Sequence, residues 1–267
     1  MQNDKINLSL IIPIGLMLFS FFFGAGNLIF PPVLGQMAGE NISWGMLGFC
    51  LSGVGFPLLG VLAMAMKQSD NPDSIAMPMH PLYARAVTIL CALAIGPLFA
   101  IPRTAAVSFD TGIHSLLPAS CEAIGLPVYT VFFFVLTYFF SINPSKIIGH
   151  IGKFLSPMLL ICLAVLVVCV FVNPTGSLKM PNPDFAASPF FRGFQEGYNT
   201  MDLLAAILFG SITIKAIEAQ GITDKKVLTK LCSYAGLIAA FFLAIIYAAL
   251  AYTGALSINV FGVIPNG

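Results

Sequence analysis

Polar side chains beside breaks in apolar runs are the residues of this sequence that could do chemistry. Asn27 stands just after the apolar run from Leu8 to Phe23, and Asp202 stands immediately before the apolar run from Leu203 to Ile214. Amide and carboxylate oxygens suit a small hard cation, while the N–H groups left free where a helix restarts suit an anion. These residue types therefore indicate binding of an ion and a small polar ligand.

Hydrolysis and metal-centred catalysis are not indicated. His80, His114 and His150 fall in loops or at the ends of apolar runs, and no serine–histidine or metal-ligand spacing assembles within such a run. The six cysteines show no CxxC or Cys/His spacing, so we interpret them as small apolar packing residues. We predict neither an enzyme nor a structural metal site, and no resident cofactor.

A charged pair lies at the end of another apolar run. The run from Ala86 to Ile101 is about 16 residues long, short of the roughly 20 that a membrane-spanning helix needs, so the span is expected to continue through Arg103 to Phe109. Asp110 follows Arg103 seven positions later on nearly the same helical face, which makes the two a candidate intramembrane ion pair. In the alternative, the helix ends at Ile101 and Arg103 is a solvated interface residue.

The elements that must position these side chains are membrane-spanning helices. Hydrophobic residues make up 58% of the 267-residue chain, charged residues make up 9%, and the mean hydropathy is +0.94. This composition lies well outside that of soluble globular domains and predicts an all-α, polytopic membrane protein in contact with the lipid bilayer. A formal net charge of +1 gives no basic footprint for a nucleic acid.

The first span is interrupted by Gly24-Ala25-Gly26-Asn27-Leu28-Ile29-Phe30-Pro31-Pro32, because the roughly 16 apolar residues before this stretch cannot cross the bilayer alone. Backbone groups freed at this depth need protein or a polar cavity to satisfy them, and a binding site is the usual occupant. The alternative is a glycine-rich packing surface with Pro31 as an ordinary kink.

A second interrupted element follows further along the chain. Leu203 to Ile214 is only about 12 residues long, so a first half-helix is expected over Phe190 to Tyr198, with Asn199-Thr200-Met201-Asp202 between the halves. Asp202 is therefore the best candidate for a carboxylate at membrane depth. An N-cap role for Asp202 is the alternative, and the two roles are compatible.

Five continuous spans complete seven predicted crossings. They cover approximately residues 43–66, 86–109, 126–142, 154–172 and 233–253, and residues 215–230 are expected to form a basic loop. One set of alternate loops contains nine Lys and Arg residues and the other contains three, which predicts a cytoplasmic N-terminus. The nine are Lys5, Lys67, Arg85, Lys146, Lys153, Lys215, Lys225, Lys226 and Lys230, and the three are Arg103, Lys179 and Arg192.

The two interrupted spans, the first and the sixth, are separated by four continuous ones. This spacing predicts an inverted repeat of five helices, in which discontinuous elements of the two halves meet at a site near the bilayer midplane. Residues 1–172 would form the first repeat, and residues 173–267 would form the start of an incomplete second repeat.

Three motifs carry a family resemblance. They are the stretch from Gly24 to Pro32, the segment Gly96-Pro97-Leu98-Phe99-Ala100-Ile101-Pro102-Arg103-Thr104-Ala105 with Ser108-Phe109, and Gly197-Tyr198-Asn199-Thr200-Met201-Asp202. In this order and spacing they resemble the bacterial branched-chain amino acid carrier family over essentially the whole chain. The resemblance implies a LeuT-like symporter of the bacterial cytoplasmic (inner) membrane that takes up leucine, isoleucine and valine with Na+ or H+ by alternating access.

The resemblance also implies roles for individual residues. The substrate site would consist of residues at both breaks, namely Gly24, Ala25, Gly26, Asn27, Tyr198, Thr200 and Asp202. The coupling cation would lie near the Phe23 carbonyl, Asn27 and Asp202.

Members of the family have about a dozen spans, so we expect a chain truncated after the seventh. In LeuT-like carriers the eighth span contributes ligands to a sodium site, and that site would be incomplete here unless the missing C-terminal helices are supplied in trans. The alternative function is therefore a non-transporting fragment or an accessory membrane subunit.

Overall fold

The computed structural model describes residues 8–118, 122–142, 156–172 and 176–261, and these residues form helices and no β-strand. The all-α prediction is confirmed for this part of the chain. The α-helices are numbered here in chain order. They are α1 Leu8–Phe22, α2 Ala25–Ala38, α3 Ile42–Cys50, α4 Phe56–Lys67, α5 Pro81–Leu93, α6 Ala100–Gly112, α7 Glu122–Ser141, α8 Ser156–Val172, α9 Pro183–Ala187, α10 Pro189–Tyr198, α11 Asp202–Glu218 and α12 Lys225–Phe261.

Several of these helices are long and apolar enough to cross a membrane. Within the described ranges there are four such stretches, or five if α10 and α11, which meet at a bend of 45°, count as one broken span. The four are Ala25–Lys67, Pro81–Gly112, Ile124–Ser141 and Lys225–Ile258. α1 and α8 are shorter apolar helices. The chain is thus a polytopic membrane protein, and the count of seven crossings stays a prediction.

The stretch Ala25–Lys67 turns back on itself at Gly39. This glycine has a φ of +49°, and a Cβ there would lie 2.1 Å from the Lys179 carbonyl oxygen, so no other residue fits without strain. After the turn α3 packs back along α2, since a Cβ on Gly45 would lie 3.5 Å from Leu34 Cδ2. The short turn predicted between the first two spans is therefore present.

The first break is shorter than predicted. α1 ends at Phe22 and α2 begins at Ala25, so that only Phe23 and Gly24 lie outside the two helices. Most of the glycine- and proline-containing stretch is therefore helical, and Pro31 lies inside α2. The chain leaves helical geometry at Gly24, which has the extended conformation of an N-cap (φ −114°, ψ −168°).

The second break lies where it was predicted. α10 ends at Tyr198 and α11 begins at Asp202, one residue earlier than expected. The turn between them is held by Met201, which has a φ of +66° and occupies the N-cap position of α11. A half-helix before the break was correctly predicted from the length of the apolar run.

Two continuous spans contain a wide, π-helical turn that the sequence did not reveal. One is Leu51–Gly55, between α3 and α4, and the other is Ala94–Leu98, between α5 and α6. In the second turn Gly96 leaves helical geometry (φ −82°, ψ −119°). Helical structure resumes at once in α6, which contains Arg103, so the alternative in which the helix ends before this residue is not observed.

Residues 215–230, predicted to be a basic loop, are mostly helical. α11 extends to Glu218 and α12 begins at Lys225, so only residues 219–224 connect them. Asp224 caps α12, because its Oδ1 accepts hydrogen bonds from the N–H groups of Lys226 (2.8 Å) and Val227 (3.1 Å). The prediction overlooked this capping signal and therefore made the last span too short.

Helices from both sides of residue 172 share one core. α1 and α2 pack on α12, and α3 packs on α10. The closest approaches occur at glycines: a Cβ on Gly35 would lie 1.8 Å from the Ala251 carbonyl oxygen, and one on Gly193 would lie 1.9 Å from the Gly45 carbonyl oxygen. Small residues thus allow backbone-to-backbone packing, as is common between membrane helices. The division into two repeats stays a prediction.

Loops that the charge pattern assigned to one side lie together in the structure. At one end of the second span, Lys215 forms an ion pair with Asp70 at 3.6 Å. At the other end, the Glu40 N–H donates to the Lys179 carbonyl oxygen at 3.0 Å. The grouping agrees with the predicted alternation of loops, while the placement of either end in the cytoplasm stays a prediction.

Candidate functional site

The two breaks meet at a buried cluster of three polar side chains. The Asn27 Nδ2 donates to Asp202 Oδ2 at 2.6 Å and also to the Tyr247 hydroxyl, and that hydroxyl donates to Asp202 Oδ2 at 3.1 Å. The exposed fractions of Asn27, Asp202 and Tyr247 are 2%, 4% and 0%. A carboxylate so far from water requires such donors, because leaving it unpaired costs several kcal/mol. The cluster joins α2, α11 and α12.

Asn27 is oriented by the break itself. It is the third residue of α2, and its Oδ1 accepts the N–H of Gly24 at 3.0 Å. A side chain at this position commonly caps the helix in this way, by reaching back to the residue before the first turn. Because the amide oxygen faces Gly24, the amide nitrogen is directed towards Asp202 and Tyr247.

Asp202 is the first residue of α11, and Met201 occupies the N-cap position that sequence reasoning gave to Asp202 as an alternative. The Asp202 carboxylate instead faces Asn27 and Tyr247. Thr200 completes the turn, since its hydroxyl donates to the Gly197 carbonyl oxygen at 2.8 Å and accepts the Asp202 N–H at 3.5 Å.

Arg103 reaches the second break from α6. Its Nη1 donates to the Asn199 carbonyl oxygen at 3.2 Å and its Nη2 to the Thr200 carbonyl oxygen at 3.5 Å. The guanidinium carbon lies 5.4 Å from the centre of the Phe30 ring, a cation–π contact. The carbonyl groups that the end of α10 leaves free thus have a cationic partner from the protein itself.

The predicted pairing of Arg103 with Asp110 is not among the ion pairs of the described residues. Asp110 is exposed. Seven residues along an α-helix correspond to about 10.5 Å of axial rise, and the Arg103 guanidinium is held instead by the Asn199 and Thr200 carbonyl groups.

A cavity of about 190 Å³ lies between the breaks. It has a polar end and an apolar wall. The polar end is formed by residues 24–27, Arg103, Thr104 and residues 200–202. The apolar wall includes Phe21, Phe22, Ile95, Ala205 and Phe209.

Most of the residues predicted to bind the substrate or the cation line this cavity, and two do not. Those that line it are Gly24, Ala25, Gly26, Asn27, Thr200 and Asp202. Tyr198 is 47% exposed and lies outside the lining. The Phe23 ring also lies outside it and stacks on Phe19 and Tyr247, with ring centres 5.5 and 6.4 Å apart.

Tyr247 is the site residue that sequence reasoning missed. It lies in the apolar interior of the last span, far from the interfacial belts in which membrane tyrosines concentrate. A buried tyrosine hydroxyl usually requires a hydrogen-bond partner. The isolated phenol within the run from Leu243 to Leu250 was therefore an available signal.

Comparison with known proteins identifies a family for the chain. Residues 7–267 match the family model described as branched-chain amino acid transport protein. The chain belongs to that family. Members similar to it include the branched-chain amino acid permease BrnQ of Bacillus subtilis (strain 168), 45% identical over 266 residues, and BrnQ of Escherichia coli (strain K12), 38% identical over 257 residues. The branched-chain amino acid transport system 3 carrier protein of Pseudomonas aeruginosa is 38% identical over 245 residues.

These matches cover nearly all of this member of the branched-chain amino acid transport protein family but only part of its relatives. They span 100%, 96% and 92% of the chain, and 60%, 58% and 55% of the Bacillus, Escherichia and Pseudomonas proteins. No solved structure matches the chain.

The charged side chains that line the cavity are of both signs. The described residues contain no group of three or more His, Cys, Asp or Glu side chains that could hold a metal. Asp202 is the carboxylate that lines the cavity, beside an arginine and the first turn of a helix. A site with both signs of charge suits a small zwitterion.

Proposed function

We propose that the chain forms the substrate-binding core of a secondary transporter that carries leucine, isoleucine and valine into the bacterial cell with a coupling cation, Na+ or H+, by alternating access. The proposal rests chiefly on the cavity between the two breaks, which joins a polar end containing both signs of charge to an apolar wall. The relatives are named branched-chain amino acid permeases and carriers, which supports the substrate class.

The shape and chemistry of the cavity suit a single aliphatic amino acid. Such a ligand has a carboxylate and an ammonium group at one end and a branched hydrocarbon at the other. The polar end offers the Arg103 guanidinium and the Asp202 carboxylate, while the wall offers Phe21, Phe22 and Phe209. A volume of about 190 Å³ lies below the roughly 300–1,000 Å³ of sites for drug-sized ligands, which favours an amino acid over a peptide.

The coupling cation is proposed to act at Asp202, with the Phe23 carbonyl and Asn27 nearby. The buried carboxylate is held in this state by the amide of Asn27 and the hydroxyl of Tyr247. A cation that replaced either donor would favour a different arrangement of α2, α11 and α12. Coupling requires such a preference, because an ion that binds all conformations equally shifts no equilibrium.

A LeuT-like inverted repeat is the arrangement proposed for the whole transporter. In support, the predicted first and sixth spans are both broken, and their breaks lie on one cavity. Half-helix ends that meet at a substrate site are typical of transporters built in this way.

Equilibrium binding tests the proposed function. The 267-residue chain would be purified into lipid nanodiscs and titrated with tritiated leucine in Na+ or choline buffer, at several pH values. We expect saturable binding that isoleucine and valine displace and that lysine and glutamate do not. A dependence on Na+ at fixed pH would identify sodium as the coupling ion, and a dependence on pH without Na+ would identify the proton.

Uptake provides the second part of the test. Cells that lack other leucine carriers would express the chain, and labelled leucine would be measured with and without an imposed ion gradient. Gradient-dependent accumulation would support symport by the chain itself. Binding without accumulation would support a binding core that needs further helices, and the absence of binding by a well-folded chain would favour the accessory-subunit alternative.

A further inference from the structure

Two positive features stand side by side at the polar end of the cavity. A Cβ on Gly26 would lie 2.8 Å from Arg103 Nη2, so the guanidinium rests against the first turn of α2. The first N–H groups of a helix have no partners within the helix and form the positive end of its dipole. A guanidinium and a helix N-terminus repel one another unless an anion lies between them.

One oxygen of the Asp202 carboxylate already has two hydrogen-bond donors. Its Oδ2 accepts from both Asn27 and Tyr247, which lie on the side of α2 and α12. The hydrogen bonds of Arg103 go to two backbone carbonyl groups instead, those of Asn199 and Thr200. Asp202 attracts the Arg103 guanidinium electrostatically, but its Oδ2 is engaged by Asn27 and Tyr247, and no ion pair joins Arg103 to Asp202 among those of the described residues.

Arg103 also has an unused donor. Its Nε is buried and has no hydrogen-bond partner in the part of the chain that the structure describes. The Nε and Nη2 atoms form one edge of the planar guanidinium, and this is an edge that binds the two oxygens of a carboxylate in parallel. The Gly26 contact places the Nη2 corner of that edge at the start of α2.

We propose that Arg103 binds the carboxylate of the transported amino acid, together with the free N–H groups of Ala25 and Gly26. This inference rests on the proposed function and assigns the substrate's orientation within it. The carbonyl groups of Asn199 and Thr200 hold the guanidinium in place, and the Phe30 ring supports its face. The ammonium group of the substrate is then directed towards Asp202, and its side chain towards the apolar wall.

Gly26 has a defined part in this arrangement. Any side chain at this position would meet Arg103 Nη2 at 2.8 Å and Cζ at 3.1 Å, and would displace the guanidinium from the helix N-terminus. Since the end of an arginine side chain is flexible, Gly26→Ala is expected to fold while it separates the two carboxylate donors.

Paired ligands test the assignment. The purified 267-residue chain would be titrated by calorimetry with leucine and with leucinamide, which keeps the ammonium group and side chain but has no carboxylate. We expect the chain to prefer leucine by about 10- to 100-fold, the range for hydrogen bonds to charged groups. In Arg103→Gln the preference is expected to fall to near unity, because leucine affinity is lost while leucinamide affinity changes little.

Two further variants sharpen the result. Gly26→Ala is expected to lower the preference for leucine with Arg103 still present. Arg192→Gln makes the same substitution at an exposed arginine that pairs with Asp184 at 3.2 Å outside the cavity, and it is expected to leave the preference unchanged.

Each contrary result has a distinct meaning. If Arg103→Gln weakens both ligands equally, Arg103 only clamps the second break and the carboxylate assignment is overturned, while the proposed function stands. If the preference for leucine survives in Arg103→Gln, the carboxylate binds elsewhere and the assignment is again overturned. If the unaltered chain binds neither ligand, the proposed function fails and the assignment fails with it.

Discussion

Asp202 is a buried acid whose hydrogen bonds come from two other helices. Asn27 and Tyr247 converge on the same carboxylate oxygen, and all three side chains are almost fully buried. Each hydrogen bond to a charged group is worth about 1.5–3 kcal/mol, and a donor left without its partner loses the same order of free energy. The three side chains should therefore respond to mutation as a unit.

Removing the Tyr247 hydroxyl should destabilise the chain. Tyr247→Phe keeps the ring but deprives Asp202 of one donor and Asn27 of one acceptor, so we expect a loss of about 1–3 kcal/mol. The measurement is the thermal unfolding midpoint of the purified protein, which falls by about 2–4 °C per kcal/mol in a protein of this size. Tyr252→Phe, on the same helix where Tyr252 stacks on Phe171, is the matched control and should change little.

Removing the charge of Asp202 should weaken substrate binding. In Asp202→Asn the side chain keeps its size but has no charge for the substrate ammonium or the coupling cation, so leucine affinity should fall at least about tenfold. Binding of tritiated leucine in nanodiscs measures this. Asp110→Asn, at an exposed position outside the cavity, is the control and should bind normally. A large loss in Asp110→Asn would instead support the ion pair with Arg103 that the sequence predicted.

Sequence reasoning found those site residues that interrupt an apolar pattern. Asn27 and Asp202 stand at such interruptions, and both line the cavity. Tyr247 does not interrupt the apolar pattern, because an aromatic ring is compatible with a membrane span. Its hydroxyl was therefore not recognised as a site group. The partner of Arg103 was also beyond reach, since helical periodicity reveals neighbours on one helix, whereas the Asn199 carbonyl is 96 residues away in sequence.

Among the helices, length was the most informative property. Apolar runs too short to cross a bilayer led directly to both breaks, and the breaks are present. The π-helical turn Leu51–Gly55 was not predicted, although its Ser52-Gly53 pair is of a kind at which helices commonly kink. The start of α12 was missed for a different reason: lysines were taken as evidence for a loop, while the cap at Asp224 was overlooked.

The contact between α3 and α10 should depend on the absence of side chains. A Cβ on Gly193 would lie 1.9 Å from the Gly45 carbonyl oxygen, and backbone atoms cannot rotate away as a side chain can. We therefore expect Gly193→Ala to cost about 1–3 kcal/mol and to lower the fraction of monodisperse protein on size-exclusion chromatography after heating. Gly112→Ala is the control, because nothing lies within 4 Å of its added Cβ. Equal thermal midpoints for the two variants would contradict close packing at this crossing.

At the scale of the whole molecule, two contacts agree with the grouping of loops that the charge pattern predicted. The ion pair of Lys215 with Asp70 and the hydrogen bond from Glu40 to Lys179 lie at opposite ends of the second span. This grouping of loops follows from their alternation between the two sides of the membrane, so it can be predicted without knowing how the helices pack. The contact of α2 with α12 was not predictable in this way. It joins helices more than 200 residues apart in sequence, and the glycines at the contact do not reveal which helix they pack against.

Reporter fusions should place the two ends on opposite sides of the membrane. Because positively charged loops are retained in the cytoplasm, fusions after Lys67 and after Lys226 are expected to give a cytoplasmic signal. Fusions near Glu40 and near Lys179 are expected to give the opposite signal. A cytoplasmic signal at Lys179 would contradict the count of spans between the two breaks.

The π-helical turn Leu51–Gly55 joins α3 and α4, and these two helices pack against the two halves of the sixth span, α10 and α11. α10 packs on α3 and on this turn, α11 packs on α4, and the Ser52 hydroxyl within the turn donates to the Phe194 carbonyl oxygen at 2.7 Å. A wide turn is less regularly bonded than the α-helix on either side. The second span therefore consists of two helices joined at a turn that lies beside the second break. We therefore expect a movement of α10 to reach α11 through the second span as well as through the short turn between the half-helices, which Arg103 and Thr200 hold.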